Sequence, residues 1–167
     1  MSDSTDVVIP ATVSQNSSGE WIEGNTYTVT AIADGGSNTG VFEDSGITSV
    51  TFPSSLTSIG RFAFYRCSGL TGELNLGGCT SLTSIGDYAF YGCSGLTGEL
   101  DFSNCTSLTS IGDFAFYYCS GLTGTVTIPA NVTKIGVNPF RSCNNLEGIV
   151  VEEDNSCLLY TSDAADD

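Results

Sequence analysis

The sequence predicts a solenoid of α/β repeats, in which mostly short strands and helical turns stack coil on coil and a parallel sheet forms on one face. The phrase Leu-Thr-Ser-Ile-Gly begins three consecutive segments, residues 56–81, 82–107 and 108–131. The starts of these segments are 26 residues apart. A period of this size is typical of repeats that bury an apolar face only by stacking on their neighbours.

Apolar residues recur at the same positions of each segment, which is the second observation behind this prediction. They form columns of isoleucine (Ile59, Ile85, Ile111, Ile135), phenylalanine (Phe64, Phe90, Phe116, Phe140) and leucine (Leu70, Leu96, Leu122, Leu146). We expect each column to point inward, with copies stacked at the spacing of adjacent strands, about 4.8 Å. A glycine follows each isoleucine and predicts either a positive φ or a close backbone approach.

Three parts of the repeat predict local structure. The segment after the last leucine alternates between polar and apolar residues, as in Glu73-Leu74-Asn75-Leu76, which indicates a half-buried strand. Stacked copies of that strand predict the parallel sheet. Leu-Thr-Ser-Ile predicts a second short strand, and the brief Phe-Ala-Phe-Tyr stretch predicts a single helical turn.

Weaker copies flank the clear ones, so we expect about five repeats, at 29–55, 56–81, 82–107, 108–131 and 132–155. Residues 1–28 contain two strand-like segments around a polar loop. This region is predicted to form a hairpin that caps the stack, because terminal repeats are usually atypical.

Composition restricts the class of partner. The chain has 167 residues, of which 40% are hydrophobic and 14% charged, as in a globular domain. Its net charge is -15, with only four basic residues. Such a field repels phosphate groups, so neither nucleic acid nor anionic lipid is an expected partner. The apolar runs are too short to insert through a membrane.

Together these motifs resemble the BspA-type, or Treponema pallidum-type, leucine-rich repeats. The resemblance is carried by Ile47–Pro53, Leu56–Gly60 and Ala63–Leu70, and it extends over about residues 29–155. It implies a leucine-rich-repeat solenoid. It also implies a surface or secreted protein that binds host matrix or cell-surface proteins in adhesion, with no enzyme activity and no cofactor. The alternative is a structural spacer within a larger protein.

The last eleven residues, CLLYTSDAADD, do not belong to the repeat. They resemble the translation of a transposon-end adapter used in DNA library preparation. From this likeness we expect residues 157–167 to be a non-native tail on a fragment from metagenomic sequencing. The alternative is a natural tail that covers the last coil.

Candidate chemistry in the chain is sparse. The sequence has no histidine, which removes the commonest general base and metal ligand. Cysteines recur in two columns, at the repeat length rather than at metal-site spacing: Cys67, Cys93, Cys119 and Cys143, then Cys79 and Cys105. A metal or redox site is one interpretation, but buried free thiols acting as small hydrophobes are favoured. No catalytic, metal or cofactor-binding residue is predicted.

Two surfaces are candidates for partner binding. The first, which we name the polar face, consists of the outward positions of the alternating segments: Ser49, Thr51, Glu73, Asn75, Glu99, Asp101, Thr125 and Thr127. Solenoids use such an extended face for partners, although a solvated face that only aids solubility is the alternative. The second is a stripe of Tyr65, Tyr91 and Tyr117. It is either a binding hot spot or stacking that closes gaps between coils, and the latter is favoured.

Overall fold

The computed structural model describes residues 6–9, 12–13, 27–36, 41–42 and 47–155. Within them the chain forms eleven short strands. They are β1 (Asp6–Val8), β2 (Thr12–Val13), β3 (Tyr27–Thr28), β4 (Ala31–Ile32), β5 (Ser49–Thr51), β6 (Ser58–Ile59), β7 (Ser84–Ile85), β8 (Ser110–Ile111), β9 (Gly124–Ile128), β10 (Lys134–Ile135) and β11 (Leu146–Val151).

A five-stranded parallel sheet runs along the stack in the order β10-β8-β7-β6-β4. Its strands β6, β7 and β8 lie in the Leu-Thr-Ser-Ile motifs, and β4 and β10 lie at the equivalent positions of the flanking repeats. Each strand is two residues long. Equivalent residues pair in register, so that Ile59 lies beside Ile85 and Ile85 beside Ile111. The predicted parallel-sheet solenoid is therefore confirmed, and the repeated phrase is the part that builds its continuous sheet.

The alternating segments form strands only near the ends of the described array. β9 pairs with β11, and β5 pairs with β1, both in parallel. In between, residues 73–76 and 99–102 alternate in burial as predicted but make no ladder, and only isolated bridges mark the start of this segment. These two coils carry two extra residues at the following turn. There the side chains of Asn75 and Asp101 accept backbone hydrogen bonds from Gly77 and Ser103, which bends the chain away from an extended ladder.

The core is a set of ladders along the solenoid axis. Phe90 is fully buried between Phe64 and Phe116, with ring centroids 5.0 and 5.2 Å away. The ladder continues to Phe42 at one end and Phe140 at the other. The isoleucine, leucine and cysteine columns pack beside it as one hydrophobic cluster. Each coil therefore depends on its neighbours for burial, as expected for a solenoid.

The predicted helical turns are not confirmed, since no helix occurs among the described residues. The Phe-Ala-Phe-Tyr stretch instead forms successive β-turns. Every second amide bonds within the coil, as from Tyr65 to the Phe62 carbonyl, while the intervening amides donate to the next coil, as from Phe64 to Ala89. A helix needs consecutive internal bonds, and the coil-to-coil ladder uses half of them.

The glycine column allows close approach rather than positive φ. A Cβ built on Gly112 would lie 2.5 Å from the Asp87 amide nitrogen of the preceding coil, and Gly60, Gly86 and Gly136 are equally tight. Positive φ occurs two residues after each of these glycines, at Phe62, Tyr88, Phe114 and Asn138.

At the N-terminal end, β2 and β3 form an antiparallel pair, whereas β1 joins the solenoid edge beside β5. The polar loop of the predicted capping hairpin, residues 14–25, lies outside the described residues, as does the tail at 157–167. The division into repeats and the capping role stay predictions.

Candidate functional site

The polar face is displayed along one side of the stack. Seven of its eight residues are exposed: Thr51, Glu73, Asn75, Glu99, Asp101, Thr125 and Thr127. Ser49 is half-buried, because β1 pairs with β5 and covers this edge. Its hydroxyl donates a hydrogen bond to the Asp6 carboxylate at 2.8 Å. Leu74, Leu76, Leu100 and Phe102, the apolar partners of the alternation, are buried beneath.

The two glutamates of the polar face pack against glycines of the next coil. The Cγ atom of Glu73 is 2.6 Å from where a Cβ of Gly98 would stand, and Glu99 has the same relation to Gly124. Both glycines have positive φ. Both the stems and the carboxylates of these glutamates therefore pack over the glycines, and since both residues remain exposed they form a row of negative charge on this face.

The polar face also offers backbone amides for hydrogen bonding. Among the described residues, no amide in 73–76 or 99–102 donates to a backbone carbonyl. An amide without a protein partner must bond to water or to a ligand. The polar face thus combines exposed carboxylates, exposed hydroxyls and unused backbone donors.

The tyrosine stripe is half-buried and stacked. Tyr91 lies between Tyr65 and Tyr117, with centroids 5.1 and 5.3 Å away. Partial burial and the neighbouring phenols raise the pKa of Tyr91 above 10.0, so it is neutral at pH 7. The tyrosine rings stack between coils and also remain partly accessible.

Sequence reasoning missed a second aromatic ladder next to this stripe. Phe62, Tyr88 and Phe114 stack at 4.9 and 5.1 Å. Phe62 and Phe114 contact the neighbouring tyrosines edge-on, and Tyr88 contacts Tyr91 at a tilt. Two of the four basic residues lie over these rings, with the Arg61 guanidinium 5.7 Å from Phe62 and that of Arg66 5.2 Å from Tyr65. We name the two ladders together the aromatic face; its six residues are Phe62, Tyr65, Tyr88, Tyr91, Phe114 and Tyr117.

Aspartates cap the next coil, a role that the sequence pattern did not reveal. Asp87 Oδ1 accepts the amide of Asp113, and Asp113 Oδ1 accepts the amide of Val137, at 2.9 and 2.7 Å. Asp34 does the same for Arg61. In each case the amide is that of the residue after the tight glycine, and it donates to a carboxylate instead of a backbone carbonyl. These aspartates therefore have a structural role.

The six described cysteines are buried. Four thiols form a ladder in which each donates to the carbonyl of the phenylalanine one coil back, as from Cys93 to Phe64 and from Cys119 to Phe90, both 3.1 Å. No cluster of histidine, cysteine or acidic residues in the described ranges could hold a metal ion. The thiols are thus placed as core side chains with a weak internal donor role.

Burial makes these thiols weak acids. It raises the pKa of Cys105 and of Cys143 from 9.0 to about 11 each, and that of Cys93 well above 9.0. A raised pKa in the folded state stabilises the fold below the unfolded pKa. That contribution is lost as the pH rises through the window from 9 towards 11.

We predict that none of the six thiols reacts with a disulfide reagent at pH 8 in the folded protein, and that all six react in denaturant. The variant Cys157→Ser removes the remaining cysteine, so that the count refers only to the buried columns. The thiolate is the reactive form, so native reactivity should appear only above pH 9. Rapid native labelling at pH 8 would contradict the buried placement.

The structure describes no helix that could cross a bilayer. The polar face and the aromatic face each extend over several coils, and both are built by repetition. Such surfaces suit binding of a large partner rather than turnover of a small one.

Comparisons with known proteins agree with this architecture. Residues 38–160 match the family model described as BspA type leucine rich repeat region, in six copies. A leucine-rich repeat protein from Bacteroides ovatus is similar over 91% of this chain and 36% of its own, with 30% identity and a TM-score of 0.65. This chain therefore spans about a third of that relative. No curated protein sequence matches significantly.

Two further structures share the fold. The T. pallidum leucine-rich repeat protein is 24% identical over 89% of this chain and 71% of its own, with a TM-score of 0.63. The pneumococcal vaccine antigen PcpA is 24% identical over 92% of this chain and 42% of its own, with a TM-score of 0.57. At this identity the likeness concerns the fold alone. The family match covers most of the chain, and the protein belongs to the BspA-type leucine-rich repeat family.

Proposed function

We propose that this chain is a non-enzymatic protein-binding repeat domain that acts at the cell surface or after secretion, in adhesion to host matrix or cell-surface proteins. The single observation that carries the proposal is the polar face. It presents exposed side chains at equivalent positions of successive coils, together with backbone amides that no backbone carbonyl accepts. Membership of a family of protein-interaction repeats supports the proposal.

The mode of binding follows from the chemistry of that face. Glu73, Glu99 and Asp101 give it negative charge, while Thr125 and Thr127 extend it with hydroxyls. A partner with a basic or amide-rich extended segment would complement it, because opposite charges steer association and fix register. Contacts spread over several coils, so no single side chain should dominate the affinity.

Charge reversal tests this surface. We expect the double variant Glu73→Lys, Glu99→Lys to weaken binding to a matrix protein about tenfold or more, because it inverts the charge on the face. Asp101 is left intact, since its carboxylate also holds the Ser103 amide. Binding is measured by surface plasmon resonance at physiological salt, against immobilised collagen, laminin, fibronectin and fibrinogen.

The matched control is Glu153→Lys, Asp154→Lys, which makes the same change in net charge on exposed residues outside the polar face. We expect its affinity to stay within about twofold of the wild type, because the polar face is intact. The long-range charge is altered equally in both variants, so it cannot account for a difference between them. Equal losses in both variants would remove the polar face from the proposal. If no matrix or cell-surface protein binds the wild type, the structural spacer becomes the better explanation.

A further inference from the structure

A notch interrupts the outer edge of the aromatic face. Arg66, Gly92 and Tyr118 occupy equivalent positions of adjacent coils, because their amides donate to the equivalent carbonyls of Tyr91, Tyr117 and Arg141. All three have positive φ. Gly92 lacks a side chain between two large ones, and a shallow groove opens above it.

The width of the notch follows from the coil spacing. Arg66 and Tyr118 are two coils apart, which places them about 10 Å from each other along the solenoid. Tyr118 is 50% exposed, and its ring stands edge-on to Tyr117 at 4.5 Å. Tyr118 therefore forms one wall of the notch, and Arg66, whose guanidinium lies over Tyr65, forms the other.

Hydroxyl groups line the remaining side. Ser68, Ser94 and Ser120 come from successive coils and all face the notch. Ser68 and Ser94 are exposed and Ser120 is partly buried, and a serine hydroxyl can both donate and accept a hydrogen bond. The described lining contains no carboxylate, although the chain carries 19 acidic residues.

The backbone here is closed to a peptide strand. The amides of Arg66, Ser68, Gly92 and Ser94 already donate to carbonyls of this chain, so an added strand would find few donors along this row. The lining also offers no deep apolar pocket for a side-chain anchor. Recognition must come from the ring of Tyr118, the row of serine hydroxyls and the guanidinium of Arg66.

We propose that this notch binds a neutral glycan, with one hexose ring seated over Gly92. The C–H face of a sugar ring packs against the negative face of an aromatic ring, here Tyr118. Its hydroxyl rim can bond to the serines and to Arg66. The coil spacing, 5.1–5.3 Å between Tyr65, Tyr91 and Tyr117, is close to the length of one hexose unit, so the serine row follows a sugar chain. The net charge of -15 disfavours an anionic glycan.

The test is an NMR titration of the whole chain with neutral hexasaccharides of β-1,4-linked glucose, mannose and N-acetylglucosamine. We expect at least one to cause saturable shifts at the amides of Gly92, Ser94 and Tyr118, with a dissociation constant of roughly 1 mM because the groove is shallow. Tyr118→Ala should weaken binding about tenfold, by removing the stacking wall. Gly92→Tyr should abolish it by filling the notch with a residue that the same position of the next coil already accepts.

A matched pair of arginine variants keeps the test decisive if either of those variants folds poorly. Arg66→Gln should weaken binding several-fold, whereas Arg61→Gln should not, since Arg61 also lies over an aromatic ring but pairs with Asp87 and does not line the notch. Absence of binding by all three sugars overturns the proposal, as do shifts confined to other surfaces. A proline-rich peptide that binds the notch where the sugars do not also overturns it. The variant Glu73→Lys, Glu99→Lys should bind sugar normally, which separates this site from the polar face.

Discussion

Replacing Phe90 with alanine is expected to lower the free energy of unfolding by about 3–5 kcal/mol. Phe90 has no exposed surface and stacks on phenylalanines of both neighbouring coils. Its removal leaves a cavity in the middle of a one-dimensional array, where both adjoining interfaces lose contacts. Urea unfolding followed by circular dichroism measures the change.

The end of the same ladder provides the control. Phe140 is 7% exposed and, within the described residues, stacks on Phe116 alone. We expect Phe140→Ala to cost clearly less than Phe90→Ala, because one interface is affected rather than two. Equal costs would mean that the coils do not rely on stacking in the way the ladder indicates.

Replacing Gly112 with alanine is expected to destabilise the fold by about 2–4 kcal/mol, through overpacking against backbone and the loss of a hydrogen bond. The new Cβ would stand 2.5 Å from the Asp87 nitrogen and 2.6 Å from the Gly86 carbonyl carbon. The coils would have to separate there, which strains the Gly112 amide bond to Ile85. Thermal unfolding of the variant measures the loss.

Gly78 is the control for this substitution. Its φ is not positive, and a Cβ built on it meets no atom within 4 Å. Gly78→Ala should therefore leave stability unchanged or raise it by up to about 1 kcal/mol, through the smaller entropy of the unfolded chain. Similar destabilisation at both glycines would contradict the close approach of coils at Gly112.

Much of the interior could be predicted from the sequence, because the buried residue types recur at the same positions of each repeat. A residue type that returns at the same position of each coil, such as Phe64 and Phe90, must face a copy of itself, and burial follows. The alternation around Leu74 and Leu100 predicted the buried side in the same way. Which alternating segment forms a continuous ladder could not be predicted, since two extra residues per turn alter backbone pairing without changing side-chain pattern.

The positive φ angles of the aromatic turns could not be predicted from the sequence for a different reason. Glycine is the usual signal for positive φ, yet Phe62, Tyr88 and Phe114 adopt it at a cost of about 1–2 kcal/mol each. Stacking and coil-to-coil hydrogen bonds offset that cost, and both are tertiary effects. The notch could not be predicted either, because Arg66, Gly92 and Tyr118 are different residue types at one repeat position, and only recurring residue types indicate structure.

The most direct test of the proposed binding surface is hydrogen–deuterium exchange on the free chain and on its complex with the matrix protein that binds tightest. In the free chain, amides of 73–76 and 99–102 should exchange rapidly, since none donates to a backbone carbonyl, whereas those of Gly86 and Gly112 should exchange slowly. In the complex we predict new protection at 73–76 and 99–102. Protection confined to the aromatic face, or no protection in either segment, would contradict binding through the polar face.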